Sequence, residues 1–192
     1  LSLSLRLSKF EIAKEVFFPG HRLIPFISND KTESNLTFLN PEGIEIQKQK
    51  QPFPIEDIVR YYQYSSLIHF PDEIKVNNWV LEKSSLVVTA WNLSKIISQN
   101  QLKEGDVLLI SLVDYKKGIF RVQPCHKNNI NLERLKMRSL FTSMEASLSK
   151  LCEIDAFCSI GLEKQLLYTL YNTDASLLEI SAFSLTNFLE SL

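Results

Sequence analysis

Leu86-Val87-Val88-Thr89-Ala90-Trp91 and, a short way on, Val107-Leu108-Leu109-Ile110-Ser111-Leu112-Val113 are the runs that decide the fold. The first is rich in β-branched residues and reads as a strand. Asn92 then caps a short helix whose apolar residues Leu93, Ile96 and Ile97 share one side. Glu104-Gly105-Asp106 is a tight turn that delivers the chain into the second run, also a strand. Lys116-Lys117-Gly118 turns it again, into a strand over 119–122. Residues 107–113 and 119–122 are expected to pair as an antiparallel hairpin at the centre of a β-rich domain.

Upstream, Leu1-Ser2-Leu3-Ser4-Leu5-Arg6-Leu7 alternates as a strand with one apolar face. Ser8 with Glu11 three residues later fits a capping box, predicting a helix over 9–17, although a strand also suits that stretch. Residues 21–27 read as extended, with Pro25 directing them to a sheet edge. Residues 36–39, the turn Asn40-Pro41-Glu42-Gly43 and residues 44–49 carry a hairpin signal, and the second arm turns wholly polar, as when a strand leaves its sheet. Pro54 opens a helix that places Ile55, Ile58, Val59 and Tyr62 on one face. A strand over 74–81 follows the break at Pro71-Asp72.

Downstream of Pro124 the apolar period changes from two to 3.6. Leu140, Phe141, Met144, Leu148 and Leu151 form the stripe of a helix running to about residue 153. A second helix over 161–171 presents Leu162, Leu166 and Leu170, and Thr173 caps a third that runs to the end. The sequence thus predicts an α+β fold: a β-rich, barrel-like domain with short helices over 1–125, then an all-helical segment over 126–192.

Net charge narrows the partners. At -1 overall, the chain lacks the field that draws a protein to nucleic acid or anionic lipid. Locally, 126–138 holds Lys127, Arg134, Lys136 and Arg138 against Glu133, whereas 139–192 holds seven acids against Lys150 and Lys164. No stretch approaches the about 18 apolar residues of a membrane span. Three cysteines, Cys125, Cys152 and Cys158, suggest a reducing, cytoplasmic compartment rather than a disulfide framework. The absence of an initial Met suggests a fragment of a longer chain.

Catalytic motifs are missing. Five glycines, Gly20, Gly43, Gly105, Gly118 and Gly161, leave no glycine-rich phosphate loop. His21, His69 and His126 lie far apart and no cysteines are spaced two to four residues apart, so neither a metal nor a cofactor is expected. Cys125-His126 is adjacent, but neighbours in a strand point to opposite faces. His69 beside Asp72 and Glu73 would suit a small hydrolase, since a carboxylate orients a general base, yet the segment also reads as a plain turn. His21-Arg22 reads as a binding pair or as an exposed strand end. Trp79, Trp91, Tyr61, Tyr62 and Tyr64 suit packing better than base stacking, because only Arg60 accompanies them.

The stretch 86–124 resembles the swapped-hairpin barrel unit of AbrB-type transition-state regulators. The likeness rests on Leu86-Val87-Val88-Thr89-Ala90, on Leu93 to Ile97, on Gln101-Leu102-Lys103-Glu104-Gly105-Asp106-Val107 and on Gly118-Ile119-Phe120-Arg121-Val122-Gln123-Pro124. It covers about a fifth of the chain and implies a barrel. The family's DNA-contacting arginines have no counterparts around the first strand and the short helix, where Lys83 and Lys95 are the only bases, and Ala90-Trp91 stands where the family has a proline. A similar order of strand, helix, Pro71-Asp72 and strand 34 residues earlier suggests two such units closing one barrel.

The C-terminal helix is expected either to be covered by the chain's own helices and barrel wall or to meet a partner. Leu178, Ala182, Leu185, Leu189 and Leu192 make one stripe, and Leu177, Ile180, Phe183 and Phe188 lie off it. A helix apolar on more than one side is buried on more than one side. The sequence therefore points to a non-catalytic binding or protein–protein interaction module, with those four residues meeting a partner protein or a second copy. The competing reading is a nucleic-acid-binding regulator using the barrel or the Arg134, Lys136 and Arg138 face.

Overall fold

The structure, a computed structural model, describes residues 2–23, 26–27, 31–62, 73–75, 84–127, 134–173 and 182–183. Alternating Leu and Ser make β1 (Ser2–Arg6), whose Leu3 and Leu5 are buried. The capping box is realised at α1 (Lys9–Lys14): the Ser8 side chain accepts from the Glu11 N–H, and the Glu11 side chain accepts from the Ser8 N–H. The helix stops early because Glu15 turns left-handed, at φ 54°, and Val16, Phe17 and Phe18 favour an extended chain. The strand alternative thus takes over at β2 (Val16–Phe17).

Residues Gly20–Leu23 form a 3-10 turn with all four residues buried, which replaces the extended, sheet-edge reading of 21–27. After a second such turn (Glu33–Asn35) comes β3 (Thr37–Leu39). The turn at 40–43 is present, but the expected hairpin is reduced to one bridge between Leu39 and Glu45. The polar second arm leaves for another sheet as β4 (Lys48–Pro54). α2 (Ile55–Tyr62) follows directly, burying Ile58, Tyr61 and Tyr62 while Val59 is exposed. Its buried face is therefore rotated away from the predicted stripe.

Of the 74–81 strand, β5 (Glu73–Lys75) is described. β6 (Ser85–Asn92), α3 (Ser94–Asn100), β7 (Val107–Asp114) and β8 (Ile119–Cys125) match the decisive stretch. β7 and β8 pair antiparallel as expected, with a bulge between Leu112 and Asp114 that leaves Val113 exposed. The helical region holds α4 (Arg134–Cys152), the short α5 (Asp155–Cys158) and α6 (Leu162–Tyr171). Then β9 (Ala182–Phe183) runs parallel to β1, opposite Leu3 and Ser4. An all-helical C-terminal segment is thus corrected at Ala182 and Phe183, where the edge of β1 offers ladder hydrogen bonds. The remainder of the expected third helix lies outside the described residues.

Two open sheets replace the expected barrel among the described residues. One is ordered β3-β8-β7-β1-β9; in the other, β6 pairs β4 along one edge and shares its second edge between β2 and β5. The barrel reading needs the strands before and after α3 in one sheet. They are separated because β7 is flanked by β1 and β8, and β6 by β4, β2 and β5. Nor do β4 and β5 repeat that arrangement, since both pair with β6.

The absence of alternation in 86–91 now has its cause: β6 is buried on both faces. Leu86, Val88 and Ala90 join Val16, Phe18, Phe53, Ile58, Tyr61 and Tyr62 in a smaller core. Trp91 belongs to the larger one, with its ring centroid 4.8 Å from Phe38 and 6.3 Å from Phe17. Leu140, Met144 and Leu170 of α4 and α6 enter that same larger core beside Leu3, Leu5, Ile110 and Phe120. Among the described residues, no helix is long and apolar enough to cross a membrane.

Candidate functional site

The densest set of polar groups lies where β1, α1, the 3-10 turn at Gly20–Leu23 and α2 meet. Ser8 ends β1's exit and starts α1, which fixes Glu11 one turn inside the helix. Gly20 makes the following turn possible: its φ is +50°, and a Cβ there would overlap the Tyr61 carbonyl oxygen. That turn swings Arg22 back over α1. Glu11 and Arg22 are 0% and 7% exposed, so this is a buried ion pair.

Arg22 Nη2 donates to Glu11 Oε1 at 2.5 Å and to the Phe18 carbonyl; Nη1 donates to Glu11 Oε2 at 3.4 Å and to the Arg6 carbonyl at 3.3 Å. Glu11 also accepts from the N–H groups of Ser8 and Phe18, at 3.0 and 3.2 Å. Four donors occupy the four lone-pair positions of one carboxylate. The guanidinium is sandwiched as well, 4.7 Å from the Tyr61 ring centre and 5.5 Å from that of Phe17.

The neighbours are held in their uncharged forms. Desolvation, then the adjacent Arg22 charge, lowers His21 from 6.5 to about 4, against a hydrogen bond with the Tyr61 backbone. Burial, then the Glu33 carboxylate, raises the Tyr62 phenol well above its ordinary value. Tyr62 therefore donates to Glu33 Oε2 at 2.8 Å, while Glu33 Oε1 accepts from the Gly20 N–H at 2.8 Å. Burial and the Glu11 charge likewise raise Tyr61. Its hydroxyl lies 2.6 Å from Ser8 Oγ and accepts from the exposed Arg60 at 2.9 Å. This node ties four segments together, and its acid and base groups are consumed in doing so.

A second cluster closes the hairpin. Asp106 Oδ2 accepts from the Lys103 N–H at 2.8 Å and lies 3.2 Å from His126 Nδ1, and Oδ1 accepts from the Lys127 N–H at 2.9 Å. Desolvation pushes the Asp106 carboxyl up, but the Lys127 and Lys103 N–H groups and the His126 ring outweigh it and hold it below its ordinary value. The His126 side chain is 51% exposed, an imidazole oriented by a buried carboxylate, which is the layout of a general base. The adjacent Cys125 thiol faces the His126 carbonyl, at 3.7 Å. No nucleophile is seen on the imidazole among the described residues.

The residues singled out in the sequence are dispersed. Arg134, Lys136 and Arg138 lie on α4, with Arg138 exposed. Phe183 is in β9, whereas Leu177, Ile180 and Phe188 lie outside the described residues, as do His69, Asp72, Tyr64 and Trp79. His21 and Arg22 are not an exposed strand end but interior groups. Among the described residues, no group of three or more His, Cys, Asp or Glu side chains is arranged to hold a metal ion.

Sequence reasoning missed the Glu11–Arg22 pair and the Asp106–His126 contact. Glu11 was legible as half of a capping box, and nothing local linked it to Arg22. Asp106 and His126 had a usable signal. The Val107 to Cys125 register, extended by one residue, sets 106 opposite 126. No family model, curated protein or solved structure matches the chain.

Proposed function

We propose that this chain is a non-catalytic binding module that engages other proteins, as part of a larger cytoplasmic chain or assembly. The observation that supports it is the Glu11–Arg22 node. The Glu11 carboxylate and both Nη groups of Arg22, the interior charges that would make the best reaction centre, have their hydrogen bonds spent on positioning β1, α1 and the chain after β2. Such a node favours a rigid scaffold over a site that must bind and release a reacting group.

The exposed Arg138 on α4 keeps nucleic acid as the second reading. Three measurements on the full chain separate the readings. Light scattering is expected to show mass above 22.1 kDa as concentration rises. No retention is expected on DNA or RNA columns at about 50 mM salt, where phosphate contacts are strong. No turnover of simple ester or phosphoester substrates is expected either. Retention at low salt that vanishes by about 200 mM and falls in Arg138→Ala would replace the proposal with the nucleic-acid reading. Turnover abolished by His69→Ala would replace it with the hydrolase.

A further inference from the structure

Two of the three cysteines meet at the joint between α4 and α5. α4 ends at Cys152, and α5 ends at Cys158, so six residues of chain bend back on themselves. The Cys158 thiol donates to the Cys152 carbonyl oxygen at 3.3 Å. That carbonyl belongs to the last turn of α4, where helix geometry supplies no N–H partner, so the thiol works as a cap. Both cysteines are free and solvent-exposed, whereas Cys125 is half-buried. Phe157, next to Cys158, is buried, and its carbonyl accepts from Gln165 Nε2 of α6 at 3.2 Å, which anchors α5.

We propose that Cys152 and Cys158 form a thiol–disulfide exchange site, closed reversibly by low-molecular-weight disulfides of the glutathione class. One cysteine, as its thiolate, attacks a sulfur of the small disulfide R–S–S–R. The S–S bond breaks, one R–S⁻ leaves and takes up a proton, and a mixed disulfide remains on the protein. The second cysteine gives its proton to water and attacks the protein sulfur of that mixed disulfide, expelling the second R–S⁻. The pair is oxidised by two electrons, and one small disulfide is reduced to two thiols. Closure removes the Cys158 S–H donor from the Cys152 carbonyl and substitutes a covalent tie between the ends of α4 and α5.

Desolvation, the Cys152 thiol and the Asp155 carboxylate hold the Cys158 thiol above its ordinary value. Cys158 is therefore held as the thiol at neutral pH, and closure accelerates as pH rises, because the thiolate is the nucleophile.

The test uses the full chain carrying Cys125→Ser, incubated with oxidised glutathione and read by intact mass and non-reducing peptide maps. The expected product has lost two hydrogens, keeps no glutathione and links the peptides that contain residues 152 and 158. Adding Cys152→Ser or Cys158→Ser should trap a stable glutathione adduct instead. Closure of the mixed disulfide should be about tenfold faster in the native chain than in urea, since the fold sets the local thiol concentration. Phenylarsine oxide, which bridges paired thiols, should be retained by the Cys125→Ser chain and lost from both double variants. Persistent glutathione adducts, disulfide-linked dimers as the main product, or equal closure rates with and without urea would overturn the proposal.

Discussion

Arg22 and His21 are neighbours in one buried turn, and they affect stability for opposite reasons. Arg22 is charged and gives both Nη groups to acceptors, although its buried Nε has none among the described residues; removing it strands the Glu11 carboxylate in the interior. Arg22→Met is therefore expected to cost about 3–5 kcal/mol in urea unfolding, and the double variant Glu11→Leu with Arg22→Met should recover much of that loss. A single variant as stable as the native chain would show that the pair carries no structural load. His21, in contrast, is buried as the neutral form, with its value lowered from 6.5 to about 4. Between those two limits the unfolded chain binds a proton that the folded chain refuses, so stability falls as pH drops from about 6.5 to about 4. The full loss is about 3 kcal/mol. Urea midpoints between pH 7 and pH 4.5 should show this decline, and His21→Gln should flatten it. Below that window Asp106, whose carboxyl is held below its ordinary value, adds its own loss as it takes up a proton.

At the scale of elements, β4 shows how the fold guards an edge that is open among the described residues. The Asn92 N–H donates to the Gln47 carbonyl, and the Ile55 N–H to the Ser84 carbonyl. Odd-numbered residues of this strand thus face β6, and the backbone groups of Lys48, Lys50, Pro52 and Pro54 face outward. Both prolines sit where a missing N–H costs the ladder nothing and denies a donor to any incoming strand. Pro52→Thr should leave the unfolding free energy within about 1 kcal/mol while raising self-association in light scattering. Unchanged association would mean that this edge is protected by something other than proline. The strands themselves were largely legible. β1, β6, β7 and β8 announced themselves by alternation or β-branching, and the Ser8–Glu11 cap by its spacing. What could not be read was pairing across distance. The polar arm at 44–51 signals departure from a sheet without naming its destination, and a chain buried on both faces, such as 86–91, does not reveal which neighbours cover it. The candidate site was less legible still. Arg22 reaches Glu11 only because Gly20 turns left-handed, which a lone Pro-Gly pair does not specify.

Across the whole molecule, the change of period near residue 124 marks a boundary in sequence, and the packing crosses it. Leu140, fully buried, shares one core with Leu3, Leu5, Ile110 and Phe120, and β9 adds its two residues to the edge of β1. β6 joins that core to the smaller one by presenting Trp91 to the first and Leu86, Val88 and Ala90 to the second. A cavity at Leu140 should consequently be felt on both sides of the boundary. Leu140→Ala is expected to cost about 2–5 kcal/mol, the range for a buried leucine whose surroundings collapse only in part. Native-state hydrogen exchange gives the decisive reading, because it reports opening free energies segment by segment. If the chain opens as one unit, the slowest amides of β7 and β8 lose as much protection as those of α4. Loss confined to α4, α5 and α6, with the strands unchanged, would instead make residues 126–192 a separately folding unit that only leans on the sheet.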